Sequence, residues 1–131
     1  MPVDSILDAA RSGLTYERLR LDAASRNIAA ANAPIAPGQA AMQWRVDGAP
    51  DDFGRLLGGD PSVAQQNAAA REVYDPGHPM ADKNGQVRYP ATDMVQEMTT
   101  LMTASRGYEA NVRSFNLLRG MMLRALEIGA K

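Results

Sequence analysis

The 131-residue sequence has no cysteine and a single histidine, His78. Without thiols the chain cannot form disulfides, zinc–thiolate sites or a cysteine nucleophile. A single histidine makes a histidine-based metal site or a Ser-His-Asp triad very hard to build. Asp75, His78 and Asp82 are close in sequence and could be considered as metal ligands. The prolines and Gly77 among them instead indicate an ordered turn. We therefore predict a protein that is not an enzyme, with no catalytic residue, no metal ligand and no cofactor.

An excess of charge of one sign is also absent. Lys and Arg number 14 against 15 Asp and Glu, which gives a formal net charge of −1. Nucleic-acid-binding domains usually carry a clustered basic excess, so we predict no nucleic-acid partner. No apolar run approaches the roughly 18 residues of a membrane span, and we predict no membrane insertion. The N-terminal residues lack the basic and apolar regions of a cleaved secretory signal.

Glycine and proline are nearly missing from both ends of the chain. Seven of the 8 prolines and seven of the 11 glycines lie between residues 33 and 92. Because these residues interrupt helices, their distribution predicts a long helix at each end and an irregular middle. We predict that segments 1–33 and 91–131 form one helical domain, and that 34–90 forms a middle region with β structure.

The first predicted helix begins at Ser5, with Asp8 as the second residue of a capping box. It ends before Pro34, because proline disfavours helical geometry in the residue that precedes it. Apolar side chains recur in it with the alternating spacing of three and four that defines a heptad seam. Its seam positions are Leu7, Ala10, Leu14, Glu17, Leu21, Ala24, Ile28 and Ala31.

The second predicted helix begins at Thr92 or Asp93 and runs to about residue 128. Its predicted seam positions are Met98, Leu101, Ser105, Tyr108, Val112, Phe115, Arg119, Met122 and Leu126. Further apolar residues widen the stripe, so this helix should contact more than one neighbour. The fold class predicted is mainly α, with the terminal helices paired as an antiparallel, coiled-coil-like hairpin. Its helix-packing residues would be Leu7, Leu14, Leu21, Ile28, Met98, Leu101, Tyr108, Val112, Phe115, Met122 and Leu126.

Weaker patterns describe the middle region. Residues 71–74 and 87–89 alternate like strands, and Asn84-Gly85 is a strong tight-turn dipeptide, so we predict a small β unit there. Alternating residues predict another strand within 39–48. Residues 50–70 are predicted as a loop, with a short helix near Ala64–Ala70.

Two charged residues, Glu17 and Arg119, interrupt the predicted seams. In an antiparallel hairpin they could pair and specify the register of the helices, since buried ion pairs are better at specifying partners than at stabilising them. The alternative is that both side chains point outward through small adjustments of the seams.

The run Tyr74-Asp75-Pro76-Gly77-His78-Pro79 is followed by Asp82 and Asn84-Gly85. This pattern resembles that of the flagellar basal-body rod proteins, most closely the proximal-rod subunits of the C type. Ser105-Arg106, Tyr108 and Ala110-Asn111 match a second motif of this family. The first helix carries Asn27-Ile28-Ala29, although the family's second asparagine is replaced by Ala30. The family-motif residues are Asn27, Tyr74, Asp75, Pro76, Gly77, His78, Pro79, Ser105, Arg106 and Asn111.

The resemblance implies a structural subunit of the rod that transmits torque from motor to hook. Such a subunit leaves the cell through the flagellar type III export apparatus without a cleaved signal. Its partners would be copies of itself, other rod subunits and the export apparatus, and its location would be the basal body. The alternative is a cytosolic helical hairpin that acts as an adaptor or chaperone, which explains the heptads but not the middle region.

Overall fold

A computed structural model describes residues 2–47 and 61–130, with side chains from Ser5 onward. Within these residues, two long helices enclose four short strands. The elements are α1 (Pro2–Ala30), β1 (Met42–Asp47), β2 (Ser62–Asn67), β3 (Ala70–Tyr74), β4 (Gln86–Pro90) and α2 (Met94–Gly129). The predicted mainly helical fold class with small β units is confirmed.

Helix α1 begins three residues earlier than predicted, at Pro2 rather than Ser5. Proline suits a first helical turn because its φ is fixed near the helical value and its missing N–H would have had no partner there. Ser5 is therefore inside the helix and is not its N-cap. The helix has 29 residues and a length of roughly 44 Å.

Helix α2 begins where the sequence predicts. Asp93 is its N-cap, and Oδ1 of this residue accepts hydrogen bonds from the backbone N–H groups of Val95 and Gln96, each at 3.1 Å. The helix has 36 residues and a length of about 54 Å. Neither helix among the described residues has an apolar stretch long enough to cross a membrane.

The two helices form an antiparallel hairpin. Gly13 of α1 lies against Asn111 of α2, and Glu17 lies against Gly107. The most buried side chains are small and cluster where the end of α1, the start of α2 and the strands meet. They include Ala23, Ala24, Asn27, Ala31, Ala41, Val87, Glu97 and Ala104. The solvent-excluded core is thus at the strand end of the hairpin.

The strands form two separate two-stranded antiparallel sheets, β1–β2 and β3–β4. Trp44 opposes Gln65 in the first sheet, and Val73 opposes Val87 in the second. The strand predicted within 39–48 and the β unit predicted around 71–89 are both confirmed. An isolated bridge between Ile35 and Arg88 ties the segment after α1 to β4.

The short helix predicted near Ala64–Ala70 is wrong, because β2 and the start of β3 occupy these residues. Alanine and glutamine are good helix formers, but intrinsic propensity is only a weak prior, and the ladder formed with β1 overrides it. The first part of the loop predicted for residues 50–70 lies outside the described residues.

Candidate assembly surface

Helix α1 uses its predicted seam to face α2. All eight seam positions from Leu7 to Ala31 are buried or half-buried, with Ala24 and Ala31 the most enclosed. Near the start of the helix, Ile6 and Leu7 line an apolar groove of about 240 Å³ together with Leu118, Met121, Met122 and Ala125. The heptad pattern of α1 therefore identified the face that packs against the partner helix.

Helix α2 presents a seam that differs from the predicted one at every second position. Leu101, Tyr108, Phe115 and Met122 are shared by the two seams. The alternating positions lie one residue earlier than predicted, at Glu97, Ala104, Asn111 and Leu118. Ala104 is fully buried, whereas Ser105, Arg119 and Leu126 are exposed, Met98 is half exposed and Val112 lies half-buried at the edge.

Two helical glycines allow the helices to approach closely. A Cβ atom on Gly107 would lie 2.9 Å from Cδ of Glu17, and one on Gly13 would lie 3.1 Å from Nδ2 of Asn111. Real Cβ atoms are rarely found so close to other atoms. The glycines thus leave room for a polar side chain of the opposite helix to lie on the backbone.

The pairing of Glu17 with Arg119 is not formed within this chain. Oε2 of Glu17 instead lies 3.0 Å from Nη1 of Arg20, one turn along the same helix. Gly107, the residue opposite Glu17, precedes Arg119 by 12 residues, or roughly 18 Å of helix. Arg119 is exposed. The prediction failed because Arg119 was assigned to a seam position that Leu118 occupies.

The side of α2 that faces away from α1 is largely exposed and partly apolar. Val95, Met102 and Leu117 are 77%, 58% and 69% exposed. At about 100° per residue, they lie on the half of the helix opposite the buried Ala104. We call this half the outer face of α2; it comprises Val95, Met98, Thr99, Met102, Thr103, Arg106, Glu109, Arg113, Asn116, Leu117, Gly120, Met121, Arg124, Glu127 and Ile128. Met121 lies at its border and also lines the groove beside α1.

Threonines at the start of the outer face present their methyl groups. Oγ1 of Thr99 donates a hydrogen bond to the carbonyl oxygen of Val95 at 2.8 Å, and Oγ1 of Thr103 donates one to that of Thr99 at 2.9 Å. Because the hydroxyls bond within their own helix, this part of α2 offers mainly methyl and thioether groups to a neighbour.

Strand β1 is attached to α1 by one asparagine. Nδ2 of Asn27 donates to the carbonyl oxygen of Trp44 at 2.9 Å, and Oδ1 accepts from the Trp44 backbone N–H at 2.7 Å. The guanidinium of Arg26 lies 4.6 Å from the centre of the Trp44 ring, which adds a cation–π contact. Asn27 is 3% exposed, so these hydrogen bonds form away from solvent.

Strand β1 also contacts α2. Nη1 of Arg45 lies 3.4 Å from Oε1 of Glu97, whose side chain is almost completely buried in the first turn of the helix. A carboxylate near a helix N-terminus is favoured by the helix dipole. Through Trp44 and Arg45 the strand is fixed to both helices, and this fixes the small β region relative to the hairpin.

Flagellar basal-body rod proteins from several bacteria are similar to this chain over nearly its full length. The FlgC flagellar basal-body rod protein of Salmonella typhimurium is 39% identical over 136 residues, covering 98% of this chain and 99% of the relative. That of Aquifex aeolicus is 32% identical over 97% of both chains, and that of Bacillus subtilis 30% identical over 94% and 95%. The chain belongs to the FlgC family of flagellar basal-body rod proteins. A family model described as the C-terminal region of the rod FlgEFG proteins also matches residues 83–128, which include β4 and nearly all of α2.

The first of the predicted family motifs lies in the loop between β3 and β4. The loop is closed by the Asp75 N–H donating to the carbonyl oxygen of Gly85 at 2.9 Å. Nδ1 of His78 accepts from the Met80 N–H at 3.0 Å, and Oδ1 of Asp82 accepts from the N–H groups of Asn84 and Gln86. Gly85 has a φ of +74°, as the predicted turn requires.

These hydrogen bonds make the acidic residues and His78 parts of a turn. Among residues 2–47 and 61–130 no group of three or more acidic or histidine side chains is placed to hold a metal ion. The exposed Tyr74 precedes the loop and the exposed Met80 lies within it, so this hydrogen-bonded segment carries apolar groups on the surface.

The residues of the second predicted family motif are divided between two sides of α2. Ser105 and Arg106 are exposed, whereas Asn111 lies in the seam against Gly13. Asn27, in the α1 motif, holds Trp44 as described above. The structure thus separates motif residues that join elements from those that remain available to a partner.

Sequence reasoning missed Trp44, Arg45 and Glu97 as residues that join the β region to the helices. Glu97 and Arg45 are typical surface residues by type, and no local pattern pairs residues 52 positions apart.

Proposed function

We propose that this FlgC-family chain is a structural subunit of the proximal rod that polymerises through its terminal helices. The observation that carries the proposal is the outer face of α2, which leaves Val95, Met98, Met102, Leu117 and Met121 in solvent. Contiguous exposed apolar surface of this kind usually marks a contact with another protein. Subunits that assemble side by side would cover it.

The attachment of the β region to both helices supports a mechanical role for the subunit. Torque passes through a subunit only if its parts keep their relative positions, and Asn27, Arg45 and Glu97 hold the β region to both helices. We infer that the chain transmits torque from motor to hook as part of the rod. The names of its relatives, all flagellar basal-body rod proteins, support this inference.

We infer further that the partners are other copies of the chain, other rod subunits and the flagellar export apparatus. The exposed methionines of the outer face suit contacts with several related neighbours, since the flexible thioether adapts to different surfaces. Export would occur without a cleaved signal and would bring the subunit to the basal body. Nucleic acid, membrane insertion and catalysis have no part in this proposal.

A deletion complemented with matched variants tests the proposal. Cells that lack the gene should not swim and should yield no complete hook–basal bodies, and the wild-type gene should restore both. Met102→Asp places a charge in the outer face and should abolish incorporation into basal bodies. Ser25→Asp, at an exposed position of α1, should incorporate as the wild type does.

Fractionation separates this function from that of a cytosolic adaptor. In a hook-deficient, export-competent strain, the rod subunit should appear in the culture supernatant. Retention in the cytosol together with a soluble partner, or normal swimming in the deletion strain, would contradict the proposal.

A further inference from the structure

The loop between β3 and β4 contains the only asparagine of the sequence that is followed by glycine, Asn84 before Gly85. Such a pair is the form most prone to deamidation, because glycine has no side chain to hinder attack by its own backbone nitrogen. Asn84 is exposed, so solvent reaches its carboxamide. The loop thus holds the side-chain amide of this sequence that is chemically the most reactive.

The reaction needs only these two residues and water. The Gly85 nitrogen attacks Cγ of Asn84, and the new N–Cγ bond replaces the Cγ–Nδ2 bond. The amide group leaves as ammonia and takes the proton of the Gly85 N–H. Water then opens the five-membered ring at either of its carbonyl groups, which gives aspartate or isoaspartate. Both products carry a new negative charge, and isoaspartate also diverts the backbone through the side chain.

The Gly85 nitrogen is hydrogen-bonded in the folded loop. Its N–H donates to the carbonyl oxygen of Asp82 at 3.0 Å. The nitrogen becomes a nucleophile only as it gives up this proton, and the hydrogen bond is then lost. The bond to Asp82 therefore opposes the first step of the reaction.

The side chain of Asp82 holds the backbone on both sides of this nitrogen. Its Oδ1 accepts from the N–H of Asn84 at 2.8 Å and from the N–H of Gln86 at 2.9 Å. The Asp82 N–H in turn donates to the carbonyl oxygen of Gln86 at 2.9 Å. Hydrogen bonds to a carboxylate are stronger than those between neutral groups. One residue thereby closes the turn from 82 to 86.

The neighbours of Gly85 restrict its movement. The site where a Cβ atom would stand on Gly85 lies 3.1 Å from Cβ of Pro76 and 3.1 Å from Cε2 of Tyr74. Ring formation requires the peptide between Asn84 and Gly85 to rotate until the Gly85 nitrogen meets Cγ of Asn84. Packing this close to Gly85 resists the rotation.

We propose that Asn84 is a deamidation site that the folded loop keeps unreactive, and that Asp82 is the residue responsible. Asp82 is a positioning residue, since none of its atoms takes part in the reaction. Deamidation then proceeds from a locally opened loop, as hydrogen exchange does. The inference goes beyond the proposed function and is independent of it, because it concerns the isolated chain as much as an assembled subunit.

The opposite role for Asp82 would be that of a general base that removes the Gly85 proton. The two N–H groups bound to its carboxylate are those of Asn84 and Gln86. The Gly85 N–H is instead bound by the backbone carbonyl oxygen of Asp82. The proton that must leave is thus held by the backbone and not by the carboxylate, which favours protection over catalysis.

Peptide mapping by mass spectrometry tests the proposal, since deamidation changes the mass of the peptide that contains Asn84. In mildly alkaline buffer, the folded wild-type chain should deamidate there at least tenfold more slowly than the same chain unfolded in urea. Asp82→Ala should react about tenfold faster than the wild type, because two hydrogen bonds to the carboxylate are lost. Asp82→Asn should remain within about threefold of the wild type, because its amide oxygen accepts the same hydrogen bonds.

The matched control is Glu109→Ala, which removes an exposed carboxylate of α2 and should leave the wild-type rate. Melting temperatures confirm that each variant is compared while folded. A folded wild type that reacts as fast as the unfolded chain would overturn the proposal. So would a folded Asp82→Ala variant that reacts as slowly as the wild type. An Asp82→Asn variant faster than Asp82→Ala would do the same.

Hydrogen exchange of the Gly85 amide gives a test that needs no variant. In the wild-type chain this amide should exchange at least tenfold more slowly than in the urea-unfolded chain, because the same opening of the loop exposes it. Exchange at the unfolded rate would overturn the proposal even if Asp82→Ala failed to fold. The assembly of the rod has no part in either measurement, so their failure would leave the proposed function standing.

Discussion

Asn27 binds the backbone of Trp44 as a neighbouring β-strand would, donating to its carbonyl oxygen and accepting from its N–H. A side chain on a helix thereby substitutes for a strand at the edge of β1. The other edge of β1 is occupied by β2. A two-stranded sheet has little stability alone, and this attachment connects it to the helical hairpin.

Asn27→Ala should lower the free energy of unfolding by about 2–3 kcal/mol, because both backbone groups of Trp44 lose a buried partner. Urea denaturation followed by the fluorescence of Trp44, the one tryptophan in the sequence, measures the change. Asn116→Ala, at an exposed position of α2, should change stability by less than about 0.5 kcal/mol. Equal stabilities of the two variants would show that the Asn27 hydrogen bonds contribute little.

Arg45→Met should destabilise the chain by about 2 kcal/mol, since it leaves the buried Glu97 carboxylate without its ion-pair partner. The expected loss is below that of a fully buried pair because the Arg45 side chain is 36% exposed. The double variant Arg45→Met with Glu97→Met should recover most of the loss. A double-mutant cycle measured by urea denaturation tests this, and purely additive losses would contradict the coupling.

Gly107→Ala and Gly120→Ala should change the free energy of unfolding by different amounts, although both remove a helical glycine. Gly120→Ala should stabilise the isolated chain by up to about 1 kcal/mol, because nothing lies near the added methyl group. In Gly107→Ala the methyl group displaces the Glu17 carboxylate from Arg20, which offsets the gain in helix propensity.

Thermal denaturation of the two glycine variants measures the difference. Adding Glu17→Ala to Gly107→Ala should remove the clash and recover the stabilisation. A Gly107→Ala variant as stable as Gly120→Ala would mean that Glu17 moves aside at no cost.

Asp93→Ala should cost about 1 kcal/mol, since the N–H groups of Val95 and Gln96 lose the capping carboxylate. Asp93→Ser should retain most of the stability because serine caps helices nearly as well. Hydrogen exchange of the Val95 and Gln96 amides reports the effect directly. Unchanged exchange in Asp93→Ala would show that the cap is not needed.

The sequence predicted the fold well where local patterns dominate. The seam of α1, the cap at Asp93 and the turn at Gly85 all depend on residues close together in the chain. In α2 the predicted seam differs from the observed one by one residue at every second position. The reason is that the apolar Met98 is a better candidate for a buried position than the charged Glu97. Glu97 is tolerated in the core only through Arg45, a contact between distant segments that no local pattern encodes.

Strand β2 shows the same limit. Its residues include alanine and glutamine, which suit a helix by propensity, and only the ladder with β1 makes them a strand. Glu17 and Arg119 show the reverse case: the predicted seams of the two helices place them at comparable heights, whereas the register in the structure separates them by several turns. Register between helices depends on close contacts such as that of Gly107 with Glu17.

The hydroxyl groups of Thr99 and Thr103 donate hydrogen bonds to backbone carbonyl oxygens of their own helix. This affects how a contact between subunits at this end of α2 would respond to temperature. Because the hydroxyl protons of both threonines are already donated within the helix, a contact with a neighbouring subunit there would draw more of its strength from the release of water by methyl and thioether groups. That driving force fades on cooling. In the proposed assembly, cold should therefore weaken the contacts made by Val95 and Met102.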